Sequence, residues 1–260
     1  MKVSIIQMDV TYKDPARNQE SALKLMEKAM TDQPDVIILP EMWNTGYALN
    51  ELADIADFQG QETIALMSDF AKKYDVNVIA GSVAVERDGR FYNTAYSFNR
   101  KGHLVNHYDK VHLFGLMAED EYISAGEQES LFEIDQVRVS QLICYDIRFP
   151  EWVRSQMSQG AEILFVSAQW PDSRIEQWEI LLRARAVENQ AFVVAVNRVG
   201  KGPNDHFNGR SMVINPMGEL LFKDEEGMEL VKTVTLDLEQ VKQVRGIIPV
   251  FADRRPDLYK

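Results

Sequence analysis

Val139-Ser140-Gln141-Leu142-Ile143-Cys144-Tyr145-Asp146-Ile147-Arg148-Phe149-Pro150-Glu151 is the stretch from which the rest of the chain is read. An apolar run with the character of a buried strand ends at a thiol. A polar turn follows, and Pro150 then opens a helix, where its missing N–H costs least. Such a strand-to-helix turn presents a nucleophile beside free backbone N–H groups. Cys144 is the only cysteine in 260 residues, so no intrachain disulfide occupies it. It is either a small packed residue or a reactive thiol, and its neighbours must decide which.

On both sides of this stretch strands alternate with helices. Apolar runs at Val3 to Met8, Asp35 to Pro40, Val76 to Val85, Glu162 to Ser167, Ala191 to Asn197 and Val231 to Leu236 read as strands. Helical spacing marks Pro15 to Met30, Gln61 to Tyr74, Pro150 to Gln159 and Asp172 to Gln190. Paired strands are expected at Arg90 to Phe98 with His103 to Val111, at Leu131 to Ile134 with Val137 to Ile143, and at Arg210 to Pro216 with Gly218 to Phe222. Fully apolar strands between amphipathic helices imply sheets covered by helices, and the hairpins imply that those sheets are mixed. The expected class is α/β, with two mixed β-sheets packed face to face and helices outside. With no low-complexity linker or short repeat, residues 1–260 read as one domain with a C-terminal tail from about 245.

Composition limits the partners. Hydrophobic residues make up 45% and charged residues 26%, which suits a globular chain rather than a disordered one. With 28 basic against 40 acidic residues the formal charge is −12, which argues against nucleic acid and anionic membranes as partners. No segment approaches the ~20 apolar residues of a membrane span. Met1 to Asp9 has too short an apolar stretch for a signal peptide. A lone cysteine fits a reducing compartment, and the expected location is the cytoplasm.

Three residues stand at strand ends with chemistry out of place in a core: Glu41 after Ile37-Ile38-Leu39-Pro40, Lys110 within Tyr108-Asp109-Lys110-Val111-His112, and Cys144. Together they suit acyl transfer. The thiol attacks, the carboxylate carries its proton and later activates water, and the ammonium holds the oxyanion and favours thiolate. Taken singly, each has a plainer reading as a solvated carboxylate, a surface ammonium or a packed thiol. Spacing in sequence does not show that they meet.

Leu39-Pro40-Glu41, Asp109-Lys110-Val111-His112-Leu113 and Cys144-Tyr145-Asp146-Ile147-Arg148-Phe149-Pro150-Glu151 resemble, in order, the three signatures of the nitrilase (carbon–nitrogen hydrolase) superfamily. The resemblance covers nearly the whole chain. It implies an α-β-β-α sandwich, a homodimer, and a triad of Glu41 as base, Lys110 as oxyanion-binding cation and Cys144 as nucleophile, with the Tyr145 N–H as second oxyanion donor. It also implies a second glutamate, for which Glu119 fits best and Glu121 competes. No metal and no cofactor is implied.

Ala168-Gln169-Trp170-Pro171, Arg183 to Gln190, Val196-Asn197-Arg198-Val199-Gly200 and Asp253-Arg254-Arg255-Pro256-Asp257-Leu258-Tyr259 resemble the omega-amidase branch. That branch implies as substrate the terminal amide of a 2-oxo dicarboxylic acid monoamide. An anionic substrate on an acidic chain needs a local cation. Arg148 is the first candidate and Arg174 the second, with Tyr47 and Trp170 as pocket walls. The plainer reading of Arg148 is an ion pair with Asp146 or Glu151. A nitrile, an N-carbamoyl amino acid or another small amide is the alternative substrate, and a catalytically silent scaffold the alternative function. A Cys-His hydrolase would need His103, His107, His112 or His206 beside the thiol, and none lies in a papain-type context.

Overall fold

Two mixed sheets stack face to face with helices on their outer sides. The computed structural model describes residues 1–259. The first half of the chain lays down β1 (Lys2–Gln7), α1 (Pro15–Ala29), β2 (Val36–Ile38), α2 (Leu52–Ile55), β3 (Asp57–Phe58), α3 (Gln61–Tyr74), β4 (Asn77–Arg87), β5 (Arg90–Phe98), β6 (Leu104–Asp109) and α4 (Glu119–Tyr122). The second adds β7 (Leu131–Ile134), β8 (Val137–Ile143), α5 (Pro150–Met157), β9 (Ile163–Ala168), α6 (Ile175–Asn189), β10 (Phe192–Asn197), β11 (Val199–Lys201), β12 (His206–Asn208), β13 (Met212–Ile214), β14 (Leu220–Lys223), β15 (Leu230–Thr235) and α7 (Glu239–Ile247).

The first sheet runs β15-β1-β2-β4-β5-β6, with β3 also on β4, and the second runs β14-β13-β10-β9-β8-β7. Each has a parallel centre, β1-β2-β4 in one and β8-β9-β10 in the other. Strands β15, β5 and β6 extend the first sheet antiparallel, and β7, β13 and β14 the second.

The period-2 alternation of side chains explains the layering. In β9, Ile163 and Phe165 face the other sheet, whereas Leu164 and Val166 face the helices; in β10, Phe192, Val194 and Val196 face inward, and Val193 and Ala195 outward. The inner core joins these to Val3, Ile5, Val36 and Ile38 of the first sheet. Outside the first sheet lie Ala22, Leu25 and Met26 of α1 with Met67 and Phe70 of α3; outside the second lie Val153 and Met157 of α5 with Trp178, Leu182 and Ala186 of α6.

Toward the carboxyl ends of the parallel strands the inner face becomes polar. The Ser97 hydroxyl and Gln141 Oε1 are 2.7 Å apart, Gln141 Nε2 donates to the Gly81 carbonyl (3.0 Å), and Ser167 donates to the Leu39 carbonyl (2.8 Å). Ligands of open α/β sheets bind at this end of the strands. The chain differs from its sequence reading after β15. The stretch read as leading into a tail forms α7, of which only Val241 is buried.

Candidate active site

Four turns at strand ends build the site. Glu41 follows β2, Lys110 follows β6, Cys144 follows β8, and Gln169 follows β9. The Glu41 turn is locked against β4, because Ser82 N donates to the Pro40 carbonyl (3.1 Å) while the Ser82 hydroxyl and carbonyl accept from Met42 N (3.0 Å) and Trp43 N (3.1 Å). Gly81, at φ +64°, permits this approach, since a Cβ there would lie 2.0 Å from the Pro40 carbonyl oxygen. Lys110 is fixed by its N–H to the Asn93 carbonyl (2.9 Å) and by its carbonyl, which accepts from Gly126 N (2.9 Å).

These turns bring Glu41, Lys110 and Glu119 together, all fully buried. The Lys110 ammonium donates to Glu41 Oε1 (2.8 Å) and Glu119 Oε2 (2.7 Å). Asn93 Nδ2 bridges Oε1 of both carboxylates, at 2.9 Å each. The Tyr47 hydroxyl donates to Glu41 Oε1 at 2.6 Å and accepts from Lys110 Nζ at 3.2 Å. Glu119 Oε2 also accepts from Phe114 N (2.9 Å), whereas Glu121 is exposed.

The two Glu41 oxygens are unequally occupied. Oε1 accepts from three donors, Tyr47, Asn93 and Lys110, and Oε2 from one, the Gln169 N–H at 2.8 Å. A carboxylate oxygen has two lone-pair directions, so Oε2 is the one free to take a proton. The Gln169 side chain ties its own turn to the Glu41 turn by donating to the Glu41 carbonyl (2.8 Å).

Cys144 begins a 3₁₀ turn over Cys144–Arg148 and has φ +44°, a left-handed value that costs a non-glycine residue energy. Asp146, fully buried, holds this turn. Its carboxylate accepts from Ile143 N (3.0 Å), the Tyr108 hydroxyl (2.8 Å) and His112 N (3.1 Å), and His112 Nδ1 lies 2.8 Å away. Asp146 therefore couples the Lys110 loop to the thiol turn. Tyr145 lies in the first turn of this segment, where backbone N–H groups have no intrahelical partner.

A narrow cavity of about 20 Å³ is lined by Tyr47, Phe114, Met117, Cys144, Tyr145, Arg148, Gln169, Trp170, Pro171 and Arg174. A wider concavity of about 510 Å³ adjoins it through Tyr47, Met117 and Gln169 but does not include Cys144. Arg148 forms no ion pair with Asp146 or Glu151; its guanidinium sits 4.8 Å over the Trp170 ring. Arg174 lies 5.5 Å over the Phe114 ring.

The sequence matches the carbon-nitrogen hydrolase family over residues 2–246. The chain belongs to that family. It is 44% identical to the 2-oxoglutaramate amidase of Bacillus subtilis (strain 168), covering 99% of this chain and 98% of that one. It is 33% identical to the omega-amidase YafV of Yersinia enterocolitica, covering 97% and 96%. Among solved structures, a CN-hydrolase superfamily protein of Xanthomonas campestris with an arsenic adduct in its active site superposes with a TM-score of 0.92, at 31% identity over 98% of this chain and 97% of that one.

In this carbon–nitrogen hydrolase the buried charges set one another. Burial alone would raise the Glu41 carboxyl, but the Lys110 ammonium and hydrogen bonds from Lys110, Tyr47 and the Gln169 N–H hold it below its ordinary range. Burial would lower Lys110, but Glu119 and Glu41 outweigh it and push the ammonium up. Burial and then the Glu41 charge push the Cys144 thiol well above its usual value, against the opposing pull of Lys110. Lys110 thus pulls the sulfur toward thiolate, as expected, but burial and the Glu41 charge outweigh that pull.

Sequence reasoning passed over several of these residues. Asn93 had a signal, an amide inside the strand run Arg90 to Phe98. Asp146 was weighed only as an ion-pair partner for Arg148, and Tyr47 only as a wall. The Gln169 contribution is a main-chain N–H, which has no side-chain signature.

Proposed function

We propose that this chain hydrolyses the terminal amide of a small 2-oxo dicarboxylic acid monoamide, of the 2-oxoglutaramate or 2-oxosuccinamate type, to the acid and ammonia. One observation carries the reading: a single cavity is lined by the thiol and by two guanidiniums with no anionic partner among the described residues. The likeness to a 2-oxoglutaramate amidase and an omega-amidase supports it.

Cys144 Sγ attacks the amide carbon as its proton passes to Glu41 Oε2. The carbonyl π pair moves to oxygen, where the Lys110 ammonium and the Tyr145 N–H hold it. Collapse breaks the C–N bond as Glu41 returns the proton to the leaving nitrogen. Ammonia departs, and the acyl group remains as a thioester on Cys144. Glu41 then takes a proton from water, the oxygen attacks the thioester carbon, and the C–S bond breaks. The sulfur recovers the proton from Glu41, and the acid leaves. Glu119 keeps Lys110 charged and oriented. Arg148 and Arg174 bind the substrate carboxylate, and Tyr47 and Trp170 wall the pocket.

The reading extends to a homodimer in the cytoplasm. Ile180 and Val187, seven residues apart on α6, are 66% and 52% exposed, which suits an apolar contact face between two copies. A lone cysteine suits a reducing compartment. The test is ammonia release from 2-oxoglutaramate, valeramide, a nitrile and an N-carbamoyl amino acid compared at equal concentration. 2-Oxoglutaramate should lead valeramide in kcat/KM by about 10²-fold, the effect of a charge-assisted contact. Preference for the nitrile or the carbamoyl compound would overturn the assignment.

A further inference from the structure

Trp170 touches both arginines, in two different ways. Its ring face carries the Arg148 guanidinium at 4.8 Å, and its indole N–H donates to the Arg174 carbonyl at 2.7 Å. The residue is itself immobilised. Its backbone N–H donates to Asn197 Oδ1 (2.7 Å), its carbonyl accepts from Asn197 Nδ2 (2.9 Å), and its ring packs on Trp178 at 5.4 Å. Pro171 follows and restricts Trp170 to extended backbone. A buried side chain anchored at the end of β10 is thus the common support of two cations from separate segments, the thiol turn and the turn before α6.

Neither guanidinium has a carboxylate partner among the described residues, although the chain carries 40 acidic side chains. Aromatic faces support a guanidinium without neutralising it and leave its N–H edge free for a planar anion. Two like charges facing one half-buried cavity repel until an anion enters. Their separation therefore has to be imposed by something rigid and uncharged. We propose that Trp170 is the positioning residue that sets the two-arginine grip on the substrate carboxylate, holding Arg148 through its ring and Arg174 through its indole N–H. It thereby selects anionic over neutral amides. The proposal rests on the pocket assignment given under Proposed function, and its test separates the two.

Trp170→Phe keeps a ring under Arg148 and removes only the N–H bond to Arg174. It should raise KM for 2-oxoglutaramate about tenfold, on the order of one lost polar contact. Because Trp170 also walls the pocket, whatever the lost ring area costs is shared by valeramide, and the reading is the ratio: KM for 2-oxoglutaramate should rise several-fold more than KM for valeramide, with kcat for the two substrates changing in step. Combined with Arg174→Ala it should add nothing further, whereas combined with Arg148→Ala the two effects should multiply. A purely structural role for Trp170 would instead lower turnover of both substrates and multiply with both arginine variants. If Arg148→Ala and Arg174→Ala leave the 2-oxoglutaramate KM unchanged, the carboxylate assignment fails and this inference with it. If they raise it but Trp170→Phe does not, or Trp170→Phe multiplies with Arg174→Ala, only this inference fails. Trp170→Tyr, which also lacks the indole N–H, serves if Trp170→Phe does not fold.

Discussion

The proton-carrying role proposed for Glu41 rests on the difference between its two oxygens. Oε1 is filled by Tyr47, Asn93 and Lys110, whereas Oε2 accepts only from the Gln169 N–H. The proposed mechanism starts from Glu41 carboxylate, Lys110 ammonium and Cys144 thiol, the directions in which their surroundings push them. Glu41 is held below 4.5 and Cys144 well above 9.0. The kcat/KM for 2-oxoglutaramate should therefore be level from about pH 5 to 9, falling below as Glu41 gains its proton and above as Cys144 loses its own. Ultraviolet thiolate absorbance titrating near neutrality and mapping to Cys144 would contradict this. At this level the sequence was legible in picking out Glu41, Lys110 and Cys144, side chains that the structure brings to neighbouring strand-end turns. It was silent on Oε2, because the Gln169 N–H that orients it belongs to the backbone.

The turn after β8 is a strained device held by one carboxylate. Cys144 adopts φ +44°, and Asp146 draws Ile143 N, Tyr108 and His112 to one point. Removing that acceptor strands buried donors, and each unsatisfied one costs about 1–3 kcal/mol. Asp146→Ala should lower unfolding stability in urea by about 3 kcal/mol and reduce kcat more than it raises KM; unchanged stability would contradict the role. The hairpin strands Arg90–Phe98, Leu131–Ile134 and Val137–Ile143 fall where their apolar runs and bounding turn residues put them. Helix α7 did not, since it buries only Val241 and has no side-chain cap at its start. Strands β11 and β12, three residues each, pair across a polar segment with too little apolar pattern to read.

The site exists only where the two sheets meet. Glu41 and Lys110 hang from the first sheet, and Cys144 and Gln169 from the second. The sandwich was legible from apolar strands between helices, whereas the meeting of these residues was not, since spacing along the chain carries no distance across sheets. The buried ions also tie global stability to pH. Glu41, lowered, contributes stability present above its unfolded value of 4.5 and lost as pH falls through its folded one. Lys110, raised, contributes stability present below 10.5 and lost as pH rises through its folded value. The stability difference between the natural chain and a Glu41→Gln, Lys110→Met variant should thus be level from about pH 5 to 10 and shift at both ends. A steady drift through neutrality would point to other groups. The proposed mechanism turns on one event, transfer of an acyl group to Cys144 and on to water. The most direct measurement is intact-mass and peptide mapping of enzyme acid-quenched during turnover of 2-oxoglutaramate. A thioester adduct of the substrate acyl mass should map to Cys144 and be absent, with turnover, from Cys144→Ala. Turnover retained in Cys144→Ala, or an adduct mapping elsewhere, would contradict the mechanism.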